Sequence, residues 1–428
     1  MNVTIKTLTA ILLLTGMASC KKDFTNPNAA TETETFASDR AATAVVAGLQ
    51  RQYTAGAASP LYALVDANGF VTNELLLRNA GNIPELQLST GGSAVDATNT
   101  VLANIWTRSN KIIYDADNVI RYANSLGDKT YSSGMIAFAS IFKALSLGNM
   151  AMMWERIPDT TGQNVPFISR VDGFKKAIAV LNTAIAAYNA NNPNSLVLSR
   201  LPSGINIPNT LLALKARYSL YAGDYATALA AANAVDLSVK SGFNFDALVL
   251  NPIFESATST NNVFQPVDST LGLPPALAPN LADKRIPFYV AINPTTAPRY
   301  RIGGFYATST TQVPVYLPGE MTLIKAEVYA RQNDLVNALA ELNKIITKQP
   351  SADPWGVGAG LSPVVLTTQS DILTEIYRQR SIELFMSGLK LEDMRRFNRP
   401  TSERKRNFFP YPFQERDNNT NTPPDPPF

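Results

Sequence analysis

Histidine is absent from all 428 residues, and cysteine occurs once, at Cys20. The first absence removes imidazole general bases, Ser-His-Asp and Cys-His arrangements and histidine-ligated metals together. Catalysis would fall to carboxylates, lysine or tyrosine, which leaves a two-carboxylate glycosidase as the enzyme class still open. One cysteine supports no disulfide framework. Charge is sparse and balanced, 37 basic against 34 acidic residues, so no nucleic-acid surface or polybasic membrane face is expected. Long apolar runs are missing too. The stretch before Cys20 is shorter than the roughly 20 residues a membrane-spanning helix needs, and no later segment reads as a span.

What is present begins with that cysteine. It closes the run Leu12-Leu13-Leu14-Thr15-Gly16-Met17-Ala18-Ser19-Cys20, behind a lone Lys6. A basic residue, a short apolar stretch and small residues before a cysteine are the layout of a bacterial lipoprotein signal, in which the thiol is lipidated and becomes the new N-terminus. Residues 1–19 are therefore read as signal peptide and 20–34 as a lipidated tether with an Asn-Pro turn. Loss of 1–19 removes one lysine and leaves 36 basic and 34 acidic residues. The remaining body, in a chain that is 45% hydrophobic, can bury a sizeable core.

Helical spacing dominates that body. Ala41, Val45, Val46 and Leu49 share one face, as do Ile105, Ile112, Ile113, Val119 and Ile120 within Val101 to Leu126. Met135 to Trp154 and Val171 to Tyr188 read as a helical pair separated by the Pro158 to Pro166 loop. Asn79 to Gly92 reads as a loop. Two later segments repeat: residues 216–233 align without gaps on 326–343. In each copy one alanine (Ala216, Ala326) is followed twelve positions later by another (Ala228, Ala338), with Asp224 or Asp334 between. Small residues there let antiparallel helices approach closely, the tetratricopeptide arrangement. The fold class expected is mainly α, with tetratricopeptide-like helix pairs forming a curved helical wall.

Between the repeats the texture changes. Residues 237–318 carry ten prolines and many aromatics, which excludes long helices and argues against disorder. This reads as an irregular lobe with short strands at Phe288 to Ile292 and Arg299 to Tyr306. Residues 35–428 are taken as one domain: helical parts 35–236 and 318–397, the lobe 237–317 and a proline-rich tail 398–428.

In the helix from Ile372, Leu373, Tyr377, Arg380 and Leu384 fall on one stripe, which sets a guanidinium among apolar neighbours. A buried charge must be paired, and Glu383 and Asp393 are the partners in reach. A structural ion-pair network of Arg380, Glu383, Asp393 and Arg396 is expected there, around the turn at Gly388.

This segment resembles the SusD/RagB family of outer-membrane nutrient-binding lipoproteins, whose pattern runs roughly E-R-R-x-E-L-x-x-E-G-x-R-x-x-D-L-x-R. Arg380, Glu383, Leu384, Gly388, Asp393 and Arg396 match it, while Gln379, Ser387 and Lys390 depart from it. Ile105-Trp106 with Asn118, the Trp154 to Pro158 turn, and Asn407-Phe-Phe-Pro-Tyr-Pro412 with Glu415 are similar to other family signatures. The resemblance implies a helical body topped by an irregular ligand-side lobe, lipid-anchored on the outer face of the outer membrane. It also implies a partner, a SusC-like TonB-dependent transporter that receives a captured oligosaccharide or peptide, and it implies binding without catalysis. No catalytic residue, cofactor or metal ligand is expected, and the membrane is met only through the lipid.

A sugar site needs aromatic faces flanked by amides and charged groups. Three stretches could supply them: Arg78, Asn79 and Asn82; Tyr289, Tyr300 and Tyr306 of the lobe; and Trp355 in the Gly-rich loop Pro354 to Leu361, whose glycines could let it close on ligand. Trp106 and Trp154 are expected in the core. A surface-tethered glycosidase and a tetratricopeptide scaffold for proteins stay open as alternatives to a nutrient binder.

Overall fold

The computed structural model describes residues 35–258, 262–295, 297 and 299–428. Cys20, the signal and the tether lie outside the described residues. Contacts divide the chain into Met1–Ala42 and Thr43–Phe428, and the second unit holds the helical body, the lobe and the tail.

The chain is mainly helical. Helices α1 (Asp39–Thr54), α2 (Pro60–Val71), α3 (Ile83–Thr90), α4 (Thr100–Ser125), α5 (Lys129–Met153), α6 (Arg170–Ala190) and α7 (Ser195–Arg200) make the first half. The repeats form α8 (Ile207–Ala222) with α9 (Tyr225–Asn233), and α12 (Pro318–Arg331) with α13 (Leu335–Thr347). Between them lie α10 (Pro252–Thr258) and α11 (Arg285–Tyr289). The chain ends with α14 (Gln369–Glu383), α15 (Lys390–Arg396) and α16 (Phe413–Asn418).

Each repeat hairpin is built as its spacing requires. Asp224 and Asp334 cap the second helices, accepting from the backbone N–H of Thr227 at 3.1 Å and of Asn337 at 3.2 Å. Gly223 supplies the left-handed turn at φ 80°. Ala216, Ala228, Ala326 and Ala338 are fully buried where the helices meet. Neighbours then stack in sequence order: α4 on α5, α5 on α6, α6 on α8, α9 on α12, and α12 on α14.

Three features differ from what the spacing predicts. The pattern gives no sign of α2: every one of its residues is buried, and a helix apolar all round shows no 3.6-residue stripe. The Asn79 to Gly92 loop contains α3, opened by Pro84 in the first turn, where a missing N–H costs nothing. α5 is long and apolar enough to cross a membrane, contrary to the expectation for later segments. It is instead almost wholly buried against α4, α6 and α8, so its apolarity serves the core.

Eight short strands accompany the helices among the described residues, all in antiparallel pairs: β1 (Leu75–Leu77) with β5 (Phe264–Pro266), β2 (Arg156–Pro158) with β3 (Phe167–Ser169), β4 (Gly242–Phe243) with β8 (Val313–Pro314), and β6 (Val290–Ile292) with β7 (Tyr300–Ile302). The expected strand pair at 288–306 is thus half helix: α11 precedes β6, and a 3-10 turn at Gly304–Tyr306 follows β7. The tail crosses back over the first helices. Trp106 Nε1 donates to Glu415 and Trp154 Nε1 to the Pro410 carbonyl, each at 2.9 Å, and both indoles are core.

Candidate functional site

Burial sorts the expected aromatics. Tyr289 and Tyr306 are 2% and 3% exposed. Their hydroxyls donate to the backbone carbonyls of Glu383 at 2.5 Å and Met386 at 2.8 Å. Burial raises both phenols above their ordinary range, with the Glu383 carboxylate adding to the effect at Tyr289. Neither is a ligand platform: they fasten the lobe to the end of α14, and a hydroxyl spent on a carbonyl is not available to a sugar.

Arg78 and Asn79 are exposed and Asn82 is half-buried. The Asn79 side chain is committed to its own turn, accepting from the Gly81 N–H at 3.0 Å. The Asn82 side chain donates to the Asn79 carbonyl at 3.1 Å. Backbone bonds tie Arg78 to Val263 at 2.8 Å, beside β5, and β5 packs against β7, which carries Tyr300. β5 thus lies against both the chain leading into Arg78 and the strand that carries Tyr300. The Arg299 guanidinium stacks 5.4 Å over the half-buried Tyr300 ring.

Trp355 sits on the Gly-rich loop. It is half-buried, packed edge-on against Phe305 at 5.6 Å, with the Lys240 ammonium 5.1 Å from its ring centre. Gly242 lies directly beneath: a Cβ there would come 2.7 Å from Trp355 Cη2 and 2.8 Å from the Val313 carbonyl. Amides flank Gly242. Gln312 donates to Asn244 Oδ1 at 2.8 Å, and Asn244 donates to the Ser203 carbonyl at 3.0 Å. Trp355 Nε1 is buried and has no hydrogen-bond partner among the described residues. A half-buried indole with the Lys240 ammonium over it and the Gln312–Asn244 amide pair beside Gly242 supplies the group types of a sugar-binding surface.

The Gly-rich loop is not the hinge its composition suggested. Asp353 accepts from the Trp355 N–H at 2.9 Å, and the Lys348 ammonium holds Asp353 at 2.6 Å. Backbone bonds from Gly360 to Lys348 and from Leu361 to Ile346, each 2.9 Å, close it. Burial by itself would pull the Lys348 pKa down, but the Glu383 and Asp353 carboxylates outweigh it and hold it above the ordinary value. Trp355 is presented on a pinned loop.

The ion-pair network is real but differently wired. Arg380 bonds to Asp393 at 2.8 Å and Arg396 to Asp393 at 2.5 Å, as expected. Glu383 is not part of it. Its carboxylate takes Arg285 at 2.9 Å and Lys348 at 2.7 Å, and Glu327 of α12 is the further acid that Arg396 bonds. Helix direction decides this: Glu383 turns toward the lobe while Arg380 turns toward α15 and α12. Arg285 carries a second acid, Asp283, at 2.7 Å.

Cavities add what sequence reasoning missed. The aromatic-rich one is internal, about 60 Å³, and lined by Tyr53, Phe243, Tyr316 and the bidentate pair Arg217–Glu320 at 2.6 and 2.7 Å. That is far below the roughly 300–1,000 Å³ of ligand pockets, so it is a core void rather than a site. A more open cleft of about 530 Å³ flanks α4, where Tyr114 is 45% exposed beside Asn118, Arg121 and Asn124. Only an exposed aromatic on the outer side of α4 could have signalled it.

The fold is similar to those of solved SusD superfamily proteins. A SusD superfamily protein from Bacteroides fragilis superposes with a TM-score of 0.69 at 14% identity, over 90% of this chain and 99% of that one. A SusD-like carbohydrate binding protein from Bacteroides vulgatus gives 0.66 at 16% identity, over 83% of each chain. A SusD/RagB family protein from Bacteroides thetaiotaomicron gives 0.62 at 14%, over 89% of this chain and 94% of that one. No family model and no curated protein matches the chain by sequence. The expected resemblance thus holds at the level of fold.

Proposed function

We propose that this chain is a lipoprotein of the outer membrane, anchored through Cys20 and facing the cell exterior. It binds an oligosaccharide and passes it to a SusC-like TonB-dependent transporter. The observation that carries the reading is Trp355, held on a pinned loop with Lys240 over its ring and the Gln312–Asn244 amide pair beside the Gly242 it packs on. The SusD fold, the lipoprotein signal pattern and the carbohydrate binding described for the Bacteroides vulgatus protein support it. The role is capture without cleavage, in keeping with a chain that has no histidine.

A glycan array followed by titration calorimetry on the best hit tests this. Trp355→Ala is expected to weaken binding by about tenfold or more, equivalent to roughly 1.4 kcal/mol, while Tyr114→Ala leaves it unchanged. Retention of no glycan overturns the reading. Loss in Tyr114→Ala alone would move the site to the α4 cleft. For the anchor, Cys20→Ala should release the protein from the membrane fraction, and co-purification of a β-barrel transporter with the wild type checks the partner.

A further inference from the structure

Along the outer side of α4, Tyr114, Asn118, Arg121 and Asn124 recur at helical spacing and share one stripe. The opposite side, with Ile112, Ala116, Val119 and Ala123, is buried in the core. The turn between β2 and β3 brings Thr160 and Thr161 against the stripe, and the two walls bound the cleft of about 530 Å³. That volume lies within the range of ligand pockets.

Both walls are fixed. In the turn, the Asp159 N–H donates to the Pro166 carbonyl at 2.8 Å, and the Asp159 carboxylate takes Lys176 of α6 at 2.5 Å. Further round, Asn164 Oδ1 accepts from the Thr420 N–H at 2.9 Å, and the Asn421 amide donates to the Asn164 carbonyl at 2.7 Å. Walls already ordered leave less entropy to be lost on binding.

The polar groups between these walls are largely unspent. Asn118 Oδ1 accepts from Arg121 Nη1 at 2.8 Å, which orients the guanidinium. Beyond that bond, the side chains of Arg121, Asn124, Thr160 and Thr161 make no hydrogen bond or ion pair among the described residues. The lining carboxylate, Asp117, is taken by Lys143 of α5. Nearby, Asp115 takes Lys111 and Asp159 takes Lys176. The exposed Arg121 is therefore left with a charge that no neighbouring acid answers. Its planar fork matches a carboxylate. One turn and a half away, Tyr114 is 45% exposed and offers an aromatic face for the body of a ligand. The free amides and hydroxyls suit a polyhydroxylated one.

We propose that this cleft is a second binding site, separate from Trp355, that takes a sugar acid. Arg121 meets the carboxylate, Tyr114 lies against the ring, and Asn118, Asn124 and the two threonines bond its hydroxyls.

Titration of the full chain with glucuronate, glucose and inorganic phosphate tests the assignment. Glucuronate should bind at least tenfold more tightly than glucose, and added salt should weaken it. Arg121→Gln and Tyr114→Ala should each weaken glucuronate by about tenfold, whereas Trp355→Ala should leave it unchanged. Both substituted side chains are exposed, so an unchanged melting temperature is expected of each variant. Glucuronate binding no better than glucose overturns the proposal, as does binding indifferent to Arg121→Gln. Phosphate binding as tightly as glucuronate, or binding indifferent to Tyr114→Ala, would reduce the site to one for a bare anion and overturn the sugar assignment. Loss in Trp355→Ala alone would place the acid at the indole and overturn the second site. The array glycan is read through Trp355 and the acid through Arg121, so failure of either leaves the other standing.

Discussion

Arg285, on α11 of the lobe, donates to the Glu383 carboxylate of α14 at 2.9 Å, with both side chains fully buried. Lys348 bonds the other oxygen at 2.7 Å. One acid therefore joins the lobe, the end of α13 and α14. Removing it leaves two cations buried without their shared counter-charge. Glu383→Ala should cost about 3–5 kcal/mol in chemical denaturation, the usual penalty for breaking a buried pair from one side. A loss below about 1 kcal/mol would show that the three elements are held by packing alone.

The contact of Gly242 with Trp355 predicts a local failure without global unfolding. Gly242→Ala places a methyl 2.7 Å from the indole Cη2, so the ring must shift. Trp106 and Trp154 are buried, which makes iodide quenching of fluorescence a report on Trp355. Quenching should rise in the variant, and glycan retention should fall with it, while the helical circular dichroism stays unchanged.

Asp66 is buried in α2 with neither carboxylate oxygen hydrogen-bonded among the described residues. Burial, with a further push from the Glu85 carboxylate, raises its pKa well above the ordinary value of 3.8. The folded state therefore holds this proton where the unfolded state has released it. Stability from this group is full below the unfolded pKa and is lost as pH rises from about 4 through the raised folded value. Asp66→Asn, neutral at every pH, should flatten the decline of the denaturation midpoint over that range. An unchanged pH slope would sink the assignment.

Ala338 is fully buried where α12 and α13 close on each other. A leucine there forces the helices apart. Ala338→Leu should cost roughly 1–3 kcal/mol and lower the melting temperature, whereas Ala338→Ser should cost less because volume, more than polarity, is limiting.

Legibility followed distance along the chain. The repeat hairpins were readable because their determinants, a capping aspartate and two small residues, act within a dozen or so positions. Trp355 was readable as a residue, but Lys240, Asn244 and Gln312 were not, since strand pairing of β4 with β8 brings them to it from far away. Tyr289 and Tyr306 misled for the same reason: their exposure depends on the Glu383 and Met386 carbonyls that cover their hydroxyls. α2 was invisible because uniform burial erases periodicity.

By itself the sequence determined the helical class, the two hairpins with their caps and close-packed alanines, the core role of Trp106 and Trp154, and the exclusion of histidine chemistry. These rest on local spacing and composition, which need no partner to be read. Tertiary structure alone decided which acid each buried arginine takes and which lobe aromatics are spent on the core. Burial and pairing are properties of two surfaces meeting, and a chain read in one dimension holds only one surface at a time.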